Sequence, residues 1–235
     1  METIIDKNNK EQQLAYKFIA ETNNSFFLTG KAGTGKTTFL KTIQKLIDKN
    51  FIVLAPTGIA AINADGETIH SFFRFPFEAM DNSVYGSLNS EKISLLFQTD
   101  TIIIDEVSMV RCDMVDAIDR TLRRYLYNSL PFGGKQIIFT GDMFQLEPVL
   151  MKGADMDLIA DEYNTEKPYF FKAHVFEHLN LPRIEFKHIY RQEDPVFVNL
   201  LDHIRAGHIT YEDVKLINSR VELPDEGTDM FITLT

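Results

Sequence analysis

Apolar residues along this chain fall into short unbroken runs, and amphipathic stretches separate them. The runs at 25–29 (SFFLT), 51–55 (FIVLA), 101–106 (TIIIDE), 136–140 (QIIFT) and 184–186 (IEF) read as strands. A continuous run, rather than an alternating one, belongs to a strand covered on both faces. Helical spacing joins Leu14, Phe18 and Ile19 within 9–22. It joins Phe39, Leu40, Ile43, Leu46 and Ile47 within 38–49, and Met114, Val115, Ile118, Leu122 and Leu126 within 112–126. Segments 59–64, 155–163, 169–178, 195–206 and 211–220 also read as helices. Residues 73–98 are less regular: Phe73, Phe75 and Phe77 precede a polar, loop-like stretch over 81–90. Strands alternating with helices predict an α/β fold with a mainly parallel five-stranded sheet and helices on both faces. The final segment, 230–235, reads as a strand cut short, so the chain is expected to be part of a longer protein.

Composition narrows this picture only a little. The chain has 235 residues, 44% of them hydrophobic, enough for one sizeable domain or one domain with a small appendage. Its formal net charge of −10 argues against nucleic-acid binding by the whole surface, but leaves room for a local groove. Cys112 is the sole cysteine, which excludes an internal disulfide and a cysteine metal cluster and suits a reducing compartment. Residues 1–10 are polar and no run of eighteen apolar residues occurs. A cytoplasmic, monomeric protein with no membrane segment is therefore expected.

The chemistry starts at Gly30-Lys31-Ala32-Gly33-Thr34-Gly35-Lys36-Thr37, which fits G-x-x-x-x-G-K-[ST]. A strand precedes it and a helix follows. Backbone N–H groups of such a loop converge on phosphate oxygens, and the helix N-terminus adds its dipole. Lys36 is placed for the β- and γ-phosphates and Thr37 for Mg²⁺. Parallel strands carry ligands at their carboxyl ends, so the other strand ends matter. Asp105 fits the acid that holds Mg²⁺, and Glu106 the base that orients water, although two acids capping a strand would look the same. Gln145 follows the fourth strand and is a candidate γ-phosphate sensor; a solvated loop glutamine is the alternative. Arg191 is a candidate arginine finger or a plain surface arginine. Gln12 or Gln13 can read an adenine edge, or simply face solvent. His70 lies near the mouth of the expected site. His174-Val175-Phe176-Glu177-His178 fits an inverted zinc-protease pattern, H-x-x-E-H, but shows no third ligand.

Taken jointly, these residues resemble the first motor domain of the Pif-one DNA helicases, in superfamily one, group B. The likeness runs from about Asn9 to Arg220. It is carried by 30–38 (motif I), 55–61 with 68–72 (motif Ia), 105–110 (motif II), 111–135, 141–149 (motif III) and 190–192 (motif IV). The resemblance implies a RecA-like domain over 1–220 with strand order 2-3-4-1-5, and a small wedge insertion at about 73–98. It implies that 221–235 is a linker and the start of a second motor domain. It implies ATP-driven 5′→3′ movement on single-stranded or forked DNA, with ATP and Mg²⁺ as cofactors. The nucleotide contacts would be Gln12, Gly30, Ala32, Gly33, Thr34, Gly35, Lys36, Thr37 and Thr38, with Thr37 and Asp105 on the metal. Lys36, Asp105, Glu106, Gln145 and Arg191 would act in hydrolysis. Pro56, Thr57, His70 and Phe72 would line the DNA path. Glu147 departs from the family, which has proline there. Motifs V and VI are absent, so the chain alone is expected to bind nucleotide without unwinding DNA. A phosphate-loop regulatory switch that moves no DNA is the competing reading.

Overall fold

The computed structural model describes residues 5–6, 8–150, 153–190 and 194–219. The chain divides into two units, Met1–Arg191 and Gln192–Thr235. In the first, a helix α1 (Lys10–Glu21) leads into strand β1 (Phe26–Gly30), the glycine loop and α2 (Lys36–Leu46). Then come β2 (Phe51–Ala55), α3 (Gly58–Asn63), β3 (Glu67–Thr68), α4 (Ile69–Phe73) and α5 (Ser90–Gln98). Strand β4 (Thr101–Ile104), α6 (Cys112–Leu126), β5 (Gln136–Gly141), α7 (Ala154–Tyr163) and β6 (Arg183–Phe186) complete it. Among the described residues the strands form one six-stranded sheet in the order β3-β2-β4-β5-β1-β6, every pairing parallel.

The five expected strands therefore sit in the expected order, and β3 is added at the edge beside β2. It escaped the sequence reading because it is only two residues long, half-buried and without an apolar run. The apolar strands are covered on both sides. Ile102 and Ile104 of β4 join one core with Phe72, Phe73, Val115, Ile118 and Phe139. Ile103 between them joins the other, with Ile19 of α1, Phe39 and Ile43 of α2, and Ile138. Alternate residues of one strand thus face opposite layers, as the two-residue period of a strand requires.

Three expectations need correction. Segment 169–178 is not an α-helix but two 3₁₀ turns, Phe170–Lys172 and His174–Glu177, with Ala173 extended between them. The Asp116 carboxylate of α6 accepts the N–H groups of His174 (2.9 Å) and Val175 (3.0 Å), which diverts them from a helical ladder. His174 and His178 thus do not share an α-helical face, and His174 stacks on Tyr163 instead. Within 73–98, α5 stands where no helix was expected. Much of that stretch is core: Phe73, Phe75, Met80, Leu88 and Leu96 are buried against α6 and its neighbours. Phe72 is also core, as described below.

The second unit holds α8 (Pro195–Ala206) and α9 (Tyr211–Asn218). Asp194 caps α8, whose first turn starts on Pro195, and Gly207 ends it. Thr210 and Asp213 form a capping box on α9, and Asp213 Oδ2 also meets His203 Nδ1 at 2.8 Å. The division at 191/192 falls inside the span expected to be one domain, 1–220. Both large core clusters are built from residues of the first unit, which is why the break falls there. The linker and strand expected over 221–235 lie outside the described residues, as does Arg191.

Candidate nucleotide site and nucleic-acid interface

The glycine loop is shaped by its own backbone requirements. Gly35 holds φ 80°, ψ 18°, a left-handed conformation that lets the chain turn directly into α2. At Gly30 a Cβ would lie 2.6 Å from the Phe186 carbonyl oxygen and 2.8 Å from Thr34 Oγ1. Thr34 is buried and donates its hydroxyl to the Lys31 carbonyl at 2.8 Å, so its side chain pins the loop. Lys36 Nζ donates to the carbonyls of Gly30 (2.7 Å) and Lys31 (3.2 Å). Those bonds hold the ammonium over the loop.

A cavity of about 250 Å³ opens above the loop. Ala32, Gly33, Thr34, Gly35, Lys36, Thr37 and Thr38 line one side, and Glu106 and Gln145 line the other. Glu106 follows β4 in a left-handed turn (φ 49°, ψ 45°), a conformation that costs a non-glycine residue on the order of 1–3 kcal/mol. Asp105 behind it is buried and accepts the Glu106 N–H at 2.9 Å. Burial pushes the Asp105 carboxyl above the usual carboxylate range, partly offset by the Glu106 N–H and by Lys36. Burial raises Glu106 too, followed by repulsion from Asp105, with Lys36 opposing and Asp142 adding. Gln145 is exposed on a loop whose turn is closed by its own N–H to the Asp142 carbonyl (3.0 Å). Glu147, the departure from the family pattern, accepts from Tyr169 Oη (2.6 Å) and Lys167 Nζ (3.2 Å).

A second cavity, about 280 Å³, shares Gly35 and Thr38 with the first. Gln12, Phe39, Thr42 and Tyr190 also line it. The two cavities thus adjoin at Gly35 and Thr38, the first lined mainly by polar groups and the second mainly by apolar ones. Gln12 faces the second from α1. Tyr190 was missed as a site residue. Its N–H donates to the Gly33 carbonyl (2.8 Å) and its hydroxyl bonds Asp6, Asn9 and Gln12. The three partners of its hydroxyl lie more than 170 residues away in the chain, and no sequence spacing signals them.

The residues expected on the DNA side cluster after β2 and β3. Thr57 Oγ1 accepts the Ala60 N–H at 3.3 Å and so caps α3. Pro56 precedes it at the end of β2. Phe72 is 2% exposed, edge-on to Phe73 and beneath Lys92 Nζ. It is a core residue and cannot stack on a base. The three-to-four residue period of α4 turns Ile69, Phe72 and Phe73 inward together. Phe77 is the exposed aromatic here, at 75%, and stacks on the His70 ring at 4.8 Å. Burial and then Arg111 pull the His70 imidazole below its usual range, which keeps it neutral. Its Nε2 is buried and has no hydrogen-bond partner among the described residues.

The loop carrying Phe77 is fastened from below. Arg111, at the N-terminus of α6, donates to the carbonyls of Phe77 (3.0 Å) and Glu78 (2.8 Å). Its guanidinium also pairs with buried Asp113 through two bonds of 2.9 Å. Asp113 in turn accepts the Met80 N–H at 2.8 Å.

Comparison with known proteins places the chain in a family. The family model described as PIF1-like helicase matches residues 7–215. The chain is 32% identical over 239 residues to the ATP-dependent DNA helicase PIF1 of Emericella nidulans, aligning 94% of itself with 30% of that protein. It is 29% identical to the ATP-dependent DNA helicase Pif1 of Bdellovibrio bacteriovorus, covering 91% of itself and 47% of that protein. Among solved structures, Bacteroides Pif1 bound to single-stranded DNA superposes with a TM-score of 0.88 at 39% identity. That match covers 97% of this chain and 52% of the other. The Bacteroides Pif1 complex with ADP-AlF3 and single-stranded DNA gives 0.89, also at 39% identity, over 96% and 52%. The chain thus spans between about a third and half the length of these relatives. With its match running through nearly all of the first unit and into the second, the chain belongs to the PIF1-like helicase family.

Proposed function

We propose that this chain is the N-terminal motor portion of an ATP-dependent 5′→3′ DNA helicase, binding ATP with Mg²⁺ and contacting single-stranded or forked DNA. One observation carries the reading: the phosphate loop with Lys36 faces Glu106 and Gln145 across a single cavity, and a more apolar cavity adjoins it. The family and its solved relatives support it, since Bacteroides Pif1 was captured with ADP-AlF3 and single-stranded DNA.

The roles follow from chemistry. The loop N–H groups and Lys36 hold the phosphates; Gln12 reads the base. Magnesium suits the Thr37 hydroxyl and the Asp105 carboxylate, which are hard oxygen donors of the kind this ion shares with nucleotide phosphates. Asp105 fits as well because it is a buried carboxylate whose charge a cation would relieve. Bound there, the ion would neutralise charge developing on the phosphates. Glu106 orients the attacking water, and Gln145 links the phosphate end to the DNA face. Arg191 is retained as the candidate that stabilises transferred charge.

On the DNA side, Pro56, Thr57 and His70 remain the proposed contacts. Phe77 replaces Phe72 as the proposed stacking residue, because base stacking needs an exposed ring. The wedge role proposed for 73–98 is confined to its exposed part around Phe77 and Tyr85, the rest being core. A backbone-and-stacking groove of this kind tolerates the net acidity of the chain.

The test is ATP hydrolysis with and without oligo-dT in the longer protein that contains this chain. Stimulation by DNA, lost in Lys36→Ala, is expected. Hydrolysis indifferent to DNA would favour the switch-module reading instead.

A further inference from the structure

Part of the wall of the phosphate-loop cavity is made by Gln145, an exposed residue of the loop after β5. Asp142 fixes the near side of that loop. It is buried, its Oδ1 accepts the Phe144 N–H at 3.1 Å, and its carbonyl accepts the Gln145 N–H at 3.0 Å. On the far side, Leu146 and Val149 are 70% and 76% exposed, so burial of their side chains does not hold the chain there. Leu150 packs against the core further on. Glu147 stands between. Its Oε1 accepts the Tyr169 hydroxyl at 2.6 Å and Lys167 Nζ at 3.2 Å. The Tyr169 bond, and then Lys167, hold the Glu147 carboxyl below its usual range, so it accepts as a carboxylate. The same bond pushes the Tyr169 phenol up, so it keeps the proton that it donates.

The segment carrying Lys167 and Tyr169 is fixed from outside the loop. Phe170, next to Tyr169, is buried and packs on Phe27, Phe139 and Phe176. Tyr169 pairs with Arg111 in an antiparallel bridge, and the Cys112 N–H donates to the Pro168 carbonyl at 2.9 Å. The Tyr169 ring stacks on Phe171 with centroids 5.3 Å apart, which helps to aim its hydroxyl. Glu147 therefore joins an exposed loop to a segment held by the core and by the start of α6.

We infer that Glu147 is a positioning residue: gripped by Tyr169 and Lys167, it fixes the far side of the Gln145 loop and so sets how Gln145 faces the phosphate cavity. This rests on the nucleotide reading above. The tie shortens the unfastened stretch from 142–150 to 142–147, and a shorter stretch has fewer conformations to lose when Gln145 takes its working position. A short hydrogen bond to a carboxylate is of the stronger kind. Glu147 acts through Gln145 and leaves Lys36 and the N–H groups of the phosphate loop untouched. Its effect therefore belongs in turnover rather than in nucleotide affinity.

The test is steady-state ATP hydrolysis, with saturating oligo-dT, in the longer protein that contains this chain. Wild type is compared with Glu147→Ala, Glu147→Gln, Tyr169→Phe, the double variant Glu147→Ala/Tyr169→Phe, and Lys36→Ala. Glu147→Ala and Tyr169→Phe are each expected to lower kcat by about threefold to tenfold with KM for ATP unchanged, the scale of one exposed charge-assisted hydrogen bond. The double variant is expected to lose no more than Glu147→Ala, because both changes remove the same tie. Glu147→Gln keeps an oxygen for the Tyr169 hydroxyl and is expected to retain most of the rate. Tyr169→Phe keeps the ring and its stacking, so its urea midpoint is expected to stay at the wild-type value. An unchanged kcat in both single variants, or losses that multiply in the double variant, would show that Glu147 does not act through Tyr169 and overturns the inference alone. No hydrolysis by wild type, or full hydrolysis by Lys36→Ala, would overturn the nucleotide reading and this inference with it.

Discussion

At the residue scale, the decisive feature is a pair of adjacent acids held where their charge is unwelcome. Asp105 and Glu106 are both shifted upward, with burial the first cause in each. The sign of the linkage is set by that direction. Between the ordinary carboxylate pKa and the raised one, the folded state holds more protons than the unfolded state. The stabilising contribution of the pair is thus complete below the ordinary value and is lost as pH rises through the raised one. Glu106→Gln is accordingly expected to raise the urea midpoint at neutral pH while abolishing hydrolysis in the longer protein; a lowered midpoint would contradict it. The same direction governs ligand binding. MgATP affinity should rise as pH climbs through the raised pKa values, with proton release on binding seen by calorimetry in buffers of different ionisation enthalpy. Proton uptake instead would show that the acids do not face the metal. The sequence made Lys36, Asp105 and Glu106 legible because their chemistry is local to strand ends. It hid Tyr190, whose partners are Asp6, Asn9 and Gln12, and it misplaced Phe72, because a motif position does not say which way a ring points.

At the scale of elements, the sheet was readable because continuous apolar strands leave few alternatives, and even the strand order stood. What failed was local and short. Strand β3 has two residues, and the 3₁₀ turns at 170–177 owe their form to Asp116, a residue of another element. Helix α5 escaped the sequence reading because it follows the polar stretch 81–90 and only Leu96 among its residues is buried, so its apolar positions trace no inward face. The loop 77–80 depends on an ion pair at the N-terminus of α6. Arg111 and Asp113 are both buried, so removing Arg111 strands a carboxylate in the interior. Arg111→Ala should cost about 3–5 kcal/mol in urea denaturation, and a loss below about 1 kcal/mol would show that the pair is dispensable. The loop also presents Phe77. In the longer protein, Phe77→Ala is expected to weaken oligo-dT binding by about 1–3 kcal/mol with stability unchanged. Phe72→Ala should instead lower stability by about 3–5 kcal/mol. Equal DNA affinity of Phe77→Ala and wild type would remove the stacking role.

At the scale of the molecule, the described residues place the phosphate-loop cavity beyond the carboxyl ends of β1 and β4 in a parallel sheet, with the stacked pair His70 and Phe77 beyond β3. The chain spans between about a third and half the length of its relatives. Movement along DNA needs two gripping surfaces that alternate as the nucleotide site closes and opens. The most direct measurement is titration calorimetry of MgATP into this chain, beside Lys36→Ala. The account predicts saturable one-to-one binding that the variant loses by about a hundredfold or more, the scale expected when a charge-assisted phosphate contact and its electrostatic complement are removed together. Binding that is unchanged in Lys36→Ala would contradict it, because the cleft around the phosphate loop would then not be where the nucleotide sits.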